Sequence, residues 1–232
     1  MYKLLHDIES VKQALIYLGP QKVFEIILTS CFLELTDNHV GYGLRVQSCW
    51  EHSFGVALVA RNLGELSGSV RPELAYVSGI LHDVGQVLLM NQCRDEFRQA
   101  MQLSADKELD IHDAELKVFG TSHCEIGALL AEQWRFPEPL AQVILHHHDK
   151  QIGQSIPLVQ IVNLADRICT DVRLKCSAEE PSQHGGNGVY GEHLHELEQQ
   201  LAAVGVTDLA AFRITLGRLI DEVREAVRTI YS

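Results

Sequence analysis

Five histidines and two aspartates stand where the flanking pattern predicts buried or helix-end side chains. A lone buried histidine is ordinary, because one hydrogen bond within the core satisfies it. A buried carboxylate costs more free energy, since its charge must be paired or bound to a metal. One shared cation would satisfy all seven side chains together, so we expect a single metal-binding site. Its predicted ligands are His52, His82, Asp83, His123, His147, His148 and Asp166.

The types of ligand narrow the choice of metal. Imidazole and carboxylate groups without a thiolate favour Fe, Mn, Zn, Ni or Co over Ca or Mg. Seven side chains exceed the needs of one tetrahedral zinc ion. Two ions bridged by Asp83 would use the set fully, and a pair about 3.5–4 Å apart can activate water and stabilise phosphoryl transfer. The sequence therefore predicts one or two divalent transition-metal ions.

Helices must position these side chains, because apolar residues recur at three- and four-residue steps along most of the chain. Strand-like alternation is weak, so the predicted fold class is all-α. His82 and Asp83 end an apolar helix. The other ligands share predicted apolar faces as follows: His52 with Val56, Val59 and Leu63; His123 with Ile126, Leu130 and Trp134; His147 with Leu140, Val143 and Ile144; Asp166 with Val162 and Cys169.

Local signals set the predicted helix boundaries. Gly19, followed by a proline, stops the first helix, and Gly85 ends the helix that carries the adjacent His-Asp pair. Ser122 opens a capping box, and Thr207 is the expected N-cap of the last helix. No helix is predicted in the polar region before the capping box. The predicted helices cover about 8–18, 23–33, 48–66, 73–84, 122–134, 137 to the triple histidine at 146–148, 157–168, 192–204 and 208–230.

The chain divides into three predicted parts. A helical domain covers 1–176, a flexible loop rich in Gly, Ser, Gln and Pro covers 177–191, and a helical pair packed on the domain covers 192–232. The apolar stripe of the last helix is expected to belong to the core and not to a partner surface. Its members are Leu209, Phe212, Leu216, Ile220, Val223 and Val227.

Composition excludes several classes of protein. The net charge of −12 repels phosphate backbones, so nucleic acid is not an expected partner. No apolar run is long enough to span a membrane, and no secretory signal is apparent, so we expect a soluble, cytoplasmic protein. The cysteines form no CxxC pair and are expected to be buried free thiols. They are Cys31, Cys49, Cys93, Cys124, Cys169 and Cys176.

With these residues in place, the sequence resembles the HD superfamily of metal-dependent phosphohydrolases. The family pattern H…HD…D is matched by His52, His82-Asp83 and Asp166. The closer resemblance is to the HDOD branch, a group of bacterial signalling domains, and it spans most of residues 8–170. The similar segments are SVKQALIYLG (10–19), CWEHSFGVALVARNL (49–63), GILHDVGQVLL (79–89), FGTSHCEIGALLAEQWRFPEPLAQVILHHH (119–148) and IVNLADRI (161–168).

The resemblance implies an HD-type orthogonal helical bundle with extra C-terminal helices. HDOD domains usually begin with further helices before the segment matching residue 8. The chain is therefore expected to be a truncated form or a shorter member of the family. Many HDOD proteins have lost metal ligands, whereas this chain retains the whole set.

A more distant resemblance to HD-GYP phosphodiesterases rests on His123 and the pair His147-His148. The same pair leaves His146 as a neighbour of the ligands. Gln86 stands where those enzymes have the lysine of HDxGK, which contacts substrate phosphate, so Gln86 is the candidate substrate-binding residue. No GYP-type segment follows His148, and the HDxxED signature of alarmone hydrolases is absent. The remaining histidines are expected at the surface: His6, His39, His112, His184, His193 and His195.

Two functions are compatible with these features. The first is a signal-transduction module with a regulatory or ligand-sensing role, whose partner is a small phosphorylated ligand or a signalling protein. The alternative is an active metal-dependent phosphohydrolase or phosphodiesterase on a nucleotide-type substrate, with Asp83 and His82 as the catalytic residues. The HDOD resemblance and the missing substrate motifs favour the first. The oligomeric state is left open.

Overall fold

The computed structural model describes residues 11–37, 46–149, 152–172 and 194–231, and its regular structure there is helical, as predicted. A 3-10 turn covers Ile152–Gln154. The predicted loop at 177–191 lies outside the described residues. The helices are α1 Val11–Asp37, α2 Val46–Ser67, α3 Pro72–Leu81, α4 Val84–Gln92, α5 Arg94–Lys107, α6 Ile111–Phe119, α7 His123–Gln133, α8 Glu138–His146, α9 Pro157–Asp171, α10 Leu194–Ala203 and α11 Leu209–Tyr231.

Helix α1 contains the predicted break. Gly19 has φ 80° and ψ 159°, which lies outside the helical region and which only glycine adopts readily. Pro20 follows and starts the second segment, where its missing N–H costs nothing. The break is therefore confirmed, and α1 consists of two helical segments that meet at Gly19.

The connection between α3 and α4 differs from the prediction. Helix α3 ends at Leu81, and α4 begins at Val84, so His82 and Asp83 form the turn between them. Gly85 does not end a helix, because it lies in the first turn of α4. Its role is close packing: a Cβ there would lie 2.0 Å from the carbonyl oxygen of His123.

The polar region before Ser122 forms two helices that were not predicted, α5 and α6. Their apolar signal is weak, since the fully buried residues of α5 are Phe97 and Ala100 and those of α6 are Ala114 and Glu115. A helix with so few buried positions shows little apolar periodicity in sequence.

Helix α11 confirms the predicted core stripe, because Phe212, Leu216, Ile220, Val223 and Val227 are buried and join the main hydrophobic cluster. The predicted cap is wrong by one residue. The carboxylate of Asp208 accepts a hydrogen bond from the amide of Ala211, so Asp208 and not Thr207 caps this helix.

Helix α2 lies at the centre of the fold and packs against α1, α3, α9 and α11. Its inward residues Trp50, Val56 and Leu63 are fully buried. Helix α7 contacts α4 and α8, and α5 pairs with α6. The described helices include none with the length and apolar character of a membrane span.

The prediction of buried free thiols holds for two cysteines. Cys124 and Cys169 are free and buried, whereas Cys31 is free but exposed and Cys93 is free but half-buried. Cys49 is disulfide-bonded, so the prediction is wrong there. Disulfide pairing depends on which thiols the fold brings together, which a local apolar pattern does not reveal.

Candidate metal centre

The predicted ligands come from five separate places in the fold. His52 lies in the middle of α2, and His82 and Asp83 form the turn between α3 and α4. His123 is the first residue of α7, and the pair 147–148 follows the end of α8. Asp166 lies on the buried face of α9. The structure brings all of them to one cluster.

Two groups within the cluster could each hold a metal ion, and they share Asp83. We call His52, His82 and Asp83 the first subsite. We call Asp83, His123, His147 and His148 the second subsite. In each group the ligand atoms lie within 4.8 Å of one another. The two-ion arrangement expected from the sequence is therefore compatible with the geometry.

The second subsite has a regular geometry. Oδ1 of Asp83 is 3.3 Å from Nε2 of His123 and 3.3 Å from Nε2 of His147. The two Nε2 atoms are themselves 3.3 Å apart. An ion with bonds of about 2.0–2.2 Å to such ligands separates them by about 3.0–3.4 Å. These three atoms thus have the spacing that a divalent transition metal requires.

The other oxygen of Asp83 faces the first subsite. Oδ2 is 3.3 Å from Nε2 of His82 and 3.7 Å from Nε2 of His52. Asp166 belongs to neither group, but its Oδ1 is 3.1 Å from Nε2 of His52. Asp166 therefore lies at the edge of the first subsite, in contact with one of its ligands.

The tautomers of two histidines leave lone pairs directed at Asp83. Nδ1 of His82 donates to the carbonyl of Gly79 at 2.8 Å, and Nδ1 of His147 donates to the carbonyl of Ile144 at 3.0 Å. A neutral imidazole with its proton on Nδ1 presents a lone pair at Nε2. Among the described residues, Nε2 of His82 and Oδ1 of Asp83 are buried without a hydrogen-bond partner. A cation in the first subsite would satisfy Nε2 of His82, and one in the second would satisfy Oδ1 of Asp83, so the donor set fits a metal.

Burial and charge perturb the ionisation of both aspartates. Burial acts to raise the pKa of Asp83, but the imidazoles of His82, His147 and His123 outweigh it and hold the pKa well below its usual value. Burial likewise opposes the ionisation of Asp166, and contact with His52 lowers its pKa strongly. Both carboxylates are therefore charged at neutral pH and available to a cation.

Glu115 is a buried residue of the cluster that was not predicted from the sequence. Its Oε2 accepts hydrogen bonds from Nδ1 of His123 at 2.6 Å and from the amide of His123 at 2.7 Å. Burial acts to lower the pKa of His123, whereas Cys124 and Glu115 raise it well above its usual value. The signal was available, since Glu115 falls four residues from both Ile111 and Phe119 on one helix face.

Cys124 is a second group of the cluster that was not predicted as part of the site, since the sequence indicated only a buried free thiol. Its Sγ lies 3.9 Å from Nδ1 of His147. Burial raises the pKa of this thiol, but the neighbouring His147 and His123 lower it, and the result is about 7.

Asp110 and His112 lie at the rim of the cluster. Oδ1 of Asp110 is 3.5 Å from Nδ1 of His148, and the ring of His112 stacks on that of His148 with centroids 5.7 Å apart. Burial lowers the pKa of His148, and Asp110 outweighs this effect and raises it. His112 is half-buried, so its expected surface position is only partly correct.

Two further predicted residues lie apart from the ligand groups. Gln86 is buried in α4 at 4% exposure. His146 pairs with the exposed Asp149 at 2.9 Å and does not belong to either subsite, in agreement with its expected role as a neighbour. Residues 6, 39, 184 and 193 lie outside the described part of the chain, and the side chain at 195 is not described.

The apolar stripe predicted for α7 is correct in part. Ile126 and Leu130 are partly buried against the core, whereas Trp134 is 52% exposed. The most deeply buried residues of this helix are His123, Cys124, Gly127 and Ala131, and the helix packs against α4 and α8.

The predicted capping box at the start of α7 is confirmed. The hydroxyl of Ser122 accepts from the amide of Glu125 at 3.4 Å, and the Glu125 carboxylate accepts from the amide of Ser122 at 3.2 Å. Because His123 is the first residue of α7, this cap sets the orientation of a ligand.

Ser122→Ala should lower the free energy of unfolding by about 1 kcal/mol, because the amide at the third position of α7 loses its acceptor. Urea unfolding followed by circular dichroism measures the change. Ser30→Ala is the control: the Ser30 hydroxyl donates to the Ile26 carbonyl on an exposed helix face, and its loss should cost less than about 0.5 kcal/mol. Equal effects of the two substitutions would contradict this assignment.

Comparison with known proteins agrees with this architecture. A family model described as the HDOD domain matches residues 1–150. The crystal structure of an HDOD domain protein of unknown function from Geobacter sulfurreducens superposes with a TM-score of 0.75 and 32% identity, covering 97% of this chain and 76% of that one. A candidate phosphohydrolase from Shewanella amazonensis SB2B gives a TM-score of 0.66 and 24% identity, covering 94% of this chain and 73% of that one, which shows the fold alone.

Among curated proteins, one from Treponema pallidum (strain Nichols), described as uncharacterized, is 26% identical over 101 residues. That alignment covers 43% of this chain and 20% of the relative, so the chain spans about a fifth of the relative's length. The family match is much broader. Since it includes well over half of the 232 residues, this protein belongs to the HDOD domain family of the HD superfamily.

Proposed function

We propose that this protein is a metal-binding regulatory domain, in which up to two divalent transition-metal ions occupy the two subsites joined by Asp83. The burial of the ligands carries the proposal. Side-chain exposure ranges from 0% for His82 and His147 to 18% for His148. Such a site has room for ions but presents little surface to an organic substrate. The fitting role is therefore a regulatory or ligand-sensing one within a signalling protein.

Gln86 supports the same conclusion. It takes the position at which the HD-GYP enzymes are expected to present a lysine to substrate phosphate. Here the residue is uncharged and buried. This position therefore supplies no cationic group for binding a phosphate ester.

The partners and the location belong to the same proposal. The expected partner is a signalling protein or a small phosphorylated ligand. The net charge of −12 disfavours nucleic acid. A cytoplasmic location accords with a signalling role.

A phosphohydrolase is the second candidate, and one observation favours it. The two oxygens of Asp83 face different sets of histidines, which is the arrangement expected of a bridging ligand. When bound, a pair of divalent ions supplies positive charge that activates water and stabilises a phosphoryl transition state. Under this alternative, Asp83 joins the two subsites, and His82 is held in its ligating orientation by the Gly79 carbonyl.

The two candidates differ in what the metal-loaded protein does. For the regulatory domain, saturating Mn²⁺ should raise Tm by about 5–10 °C at roughly a hundredfold excess over Kd. No turnover of nucleotides, cyclic dinucleotides or simple phosphodiesters is expected. His82→Ala should reduce the increase in Tm, because it removes a ligand of the first subsite and leaves the second intact. His146→Ala, which alters a histidine outside both subsites, should retain it.

Metal-dependent turnover that His82→Ala abolishes without changing Tm would establish the phosphohydrolase instead. If no metal binds to the purified protein, both candidates fail.

A further inference from the structure

Two kinds of partner orient the histidines: main-chain carbonyls, which His147 of the second subsite also uses, and carboxylates. His82, in the first subsite, uses its Nδ1 on a main-chain carbonyl. In the second subsite, Nδ1 of His123 is 2.6 Å from Glu115 and Nδ1 of His148 is 3.5 Å from Asp110. Both carboxylates belong to a single element, since Glu115 lies within α6 and Asp110 is its N-cap. Helix α6 thus supplies both acidic partners of the second subsite.

The Glu115 contact is the stronger of the two. Its carboxylate is fully buried, and its Oε2 accepts from both the ring and the amide of His123. The other oxygen, Oε1, has no hydrogen-bond partner among the described residues. A carboxylate buried in this way is costly unless positive charge lies nearby. That charge must come from the His123 side, where the second subsite lies.

Asp110 adds a second link at the start of α6. Its Oδ1 accepts from the amide of His112 at 2.9 Å, which caps the helix, and the same oxygen faces His148. The ring of His112 stacks on His148 as well. The side chain of Asp110 is 51% exposed, so this link is weaker than that of Glu115.

Apart from these contacts, α5 and α6 pack against the core through few buried residues. Their fully buried residues are Phe97, Ala100, Ala114 and Glu115, whereas α9 has ten buried residues. The ligands and neighbours of the first subsite come from α2, α9 and the end of α3, which pack closely together. An element with few buried apolar residues opens at low free energy. The stability of α6 therefore depends more than that of its neighbours on what occupies the second subsite.

We propose that Asp110 and Glu115 are positioning residues of the second subsite, and that a divalent cation bound there orders α6. This inference rests on the proposed metal binding and adds its regulation. Because a cation draws His123 and His148 into ligating orientations, it strengthens their contacts with α6. By thermodynamic linkage, a change that destabilises α6 lowers the affinity for the cation by the same factor. Occupancy of the second subsite is thereby transmitted to the outer face of α6, where Leu116 and Lys117 are exposed.

The coupling between α6 stability and cation affinity can be tested with Lys117→Gly, which changes none of the candidate ligands. Lys117 lies on the exposed face of α6, and glycine there lowers helix stability by about 1 kcal/mol. The Kd of one of the two Mn²⁺ equivalents, measured by titration calorimetry, should rise about fivefold, the equivalent of that free energy. Arg218→Gly makes the same change on the exposed face of α11 and should leave both Kd values unaltered. An unchanged Kd in Lys117→Gly would overturn the inference.

Glu115→Gln tests the positioning role directly. Glutamine retains an acceptor for His123 but loses the charge, so one of two Mn²⁺ equivalents should weaken by about 10–100-fold while the other is retained. Hydrogen exchange provides a readout independent of affinity. Saturating Mn²⁺ should slow the amides of α6 at least tenfold in the wild-type protein and much less in Glu115→Gln.

The outcomes separate this inference from the proposed function. Two equivalents of bound Mn²⁺ with no change in α6 exchange would overturn the inference alone. Absence of Mn²⁺ binding to the wild-type protein would overturn both.

Discussion

Replacing Asp83 by asparagine should abolish metal binding at both subsites at once. Asp83 is the one residue common to the two groups that could hold an ion. Its Oδ1 faces Nε2 of His123 and His147 at 3.3 Å, and its Oδ2 faces Nε2 of His82 at 3.3 Å. Asparagine has nearly the same shape but carries no charge. The substitution therefore removes the shared negative ligand while changing the packing little.

The affinity should fall by more than about 100-fold for each ion, beyond the loss that is typical when an outer partner of a ligand is removed. Elemental analysis after equilibration with Mn²⁺ measures the stoichiometry, and circular dichroism checks that the helices remain. Asp95→Asn is the matched control, because that carboxylate is 84% exposed and pairs with Arg98 at the surface. Retention of one full equivalent in Asp83→Asn would refute the bridging role.

Gly85→Ala is expected to cause the largest loss of stability. Helices α4 and α7 cross so closely that a Cβ on Gly85 would lie 2.0 Å from the carbonyl oxygen of His123 and 2.6 Å from the amide nitrogen of Gly127. Both atoms are main chain, so no side-chain rotation relieves the clash. The helices must separate, which lowers the free energy of unfolding by about 3 kcal/mol or more.

Thermal unfolding should show Tm lowered by about 6–12 °C for a domain of this size. Metal binding should weaken as well, because the separation moves His123 away from Asp83. Gly217→Ala provides the opposite expectation. A Cβ there meets nothing within 4 Å, so alanine should stabilise α11 by about 0.5–1 kcal/mol. If Gly85→Ala proved as stable as the wild type, the crossing described here would be wrong.

Much of the metal centre could be predicted from the sequence, because its signals are local. A polar residue on an apolar helical stripe is visible at three- and four-residue spacing, and this placed His52, His147 and Asp166 inward. The Ser122 capping box needs only four consecutive residues. The match of motif segments to the HDOD family also depends on order along the chain, which the sequence contains in full.

The parts that were missed depend on how helices cross. The inward position of Glu115 on α6 is visible from local spacing, but its pairing with His123, and that of Asp110 with His148, depends on how α6 lies against α7 and the end of α8. Gly85 was predicted to end a helix because glycine is common at helix ends. Its tight contact is with a helix nearly forty positions further along the chain, and local sequence does not reveal such a contact.

The sequence by itself therefore determined the helical class, the family and the set of candidate ligands, since each follows from spacing within a helix or a motif. Only the tertiary structure decided that the ligands divide into two subsites around Asp83, and that α6 supplies the acidic partners of the second. Those facts depend on distances between side chains remote in sequence. Such distances are set by close helix packing, which no local pattern encodes.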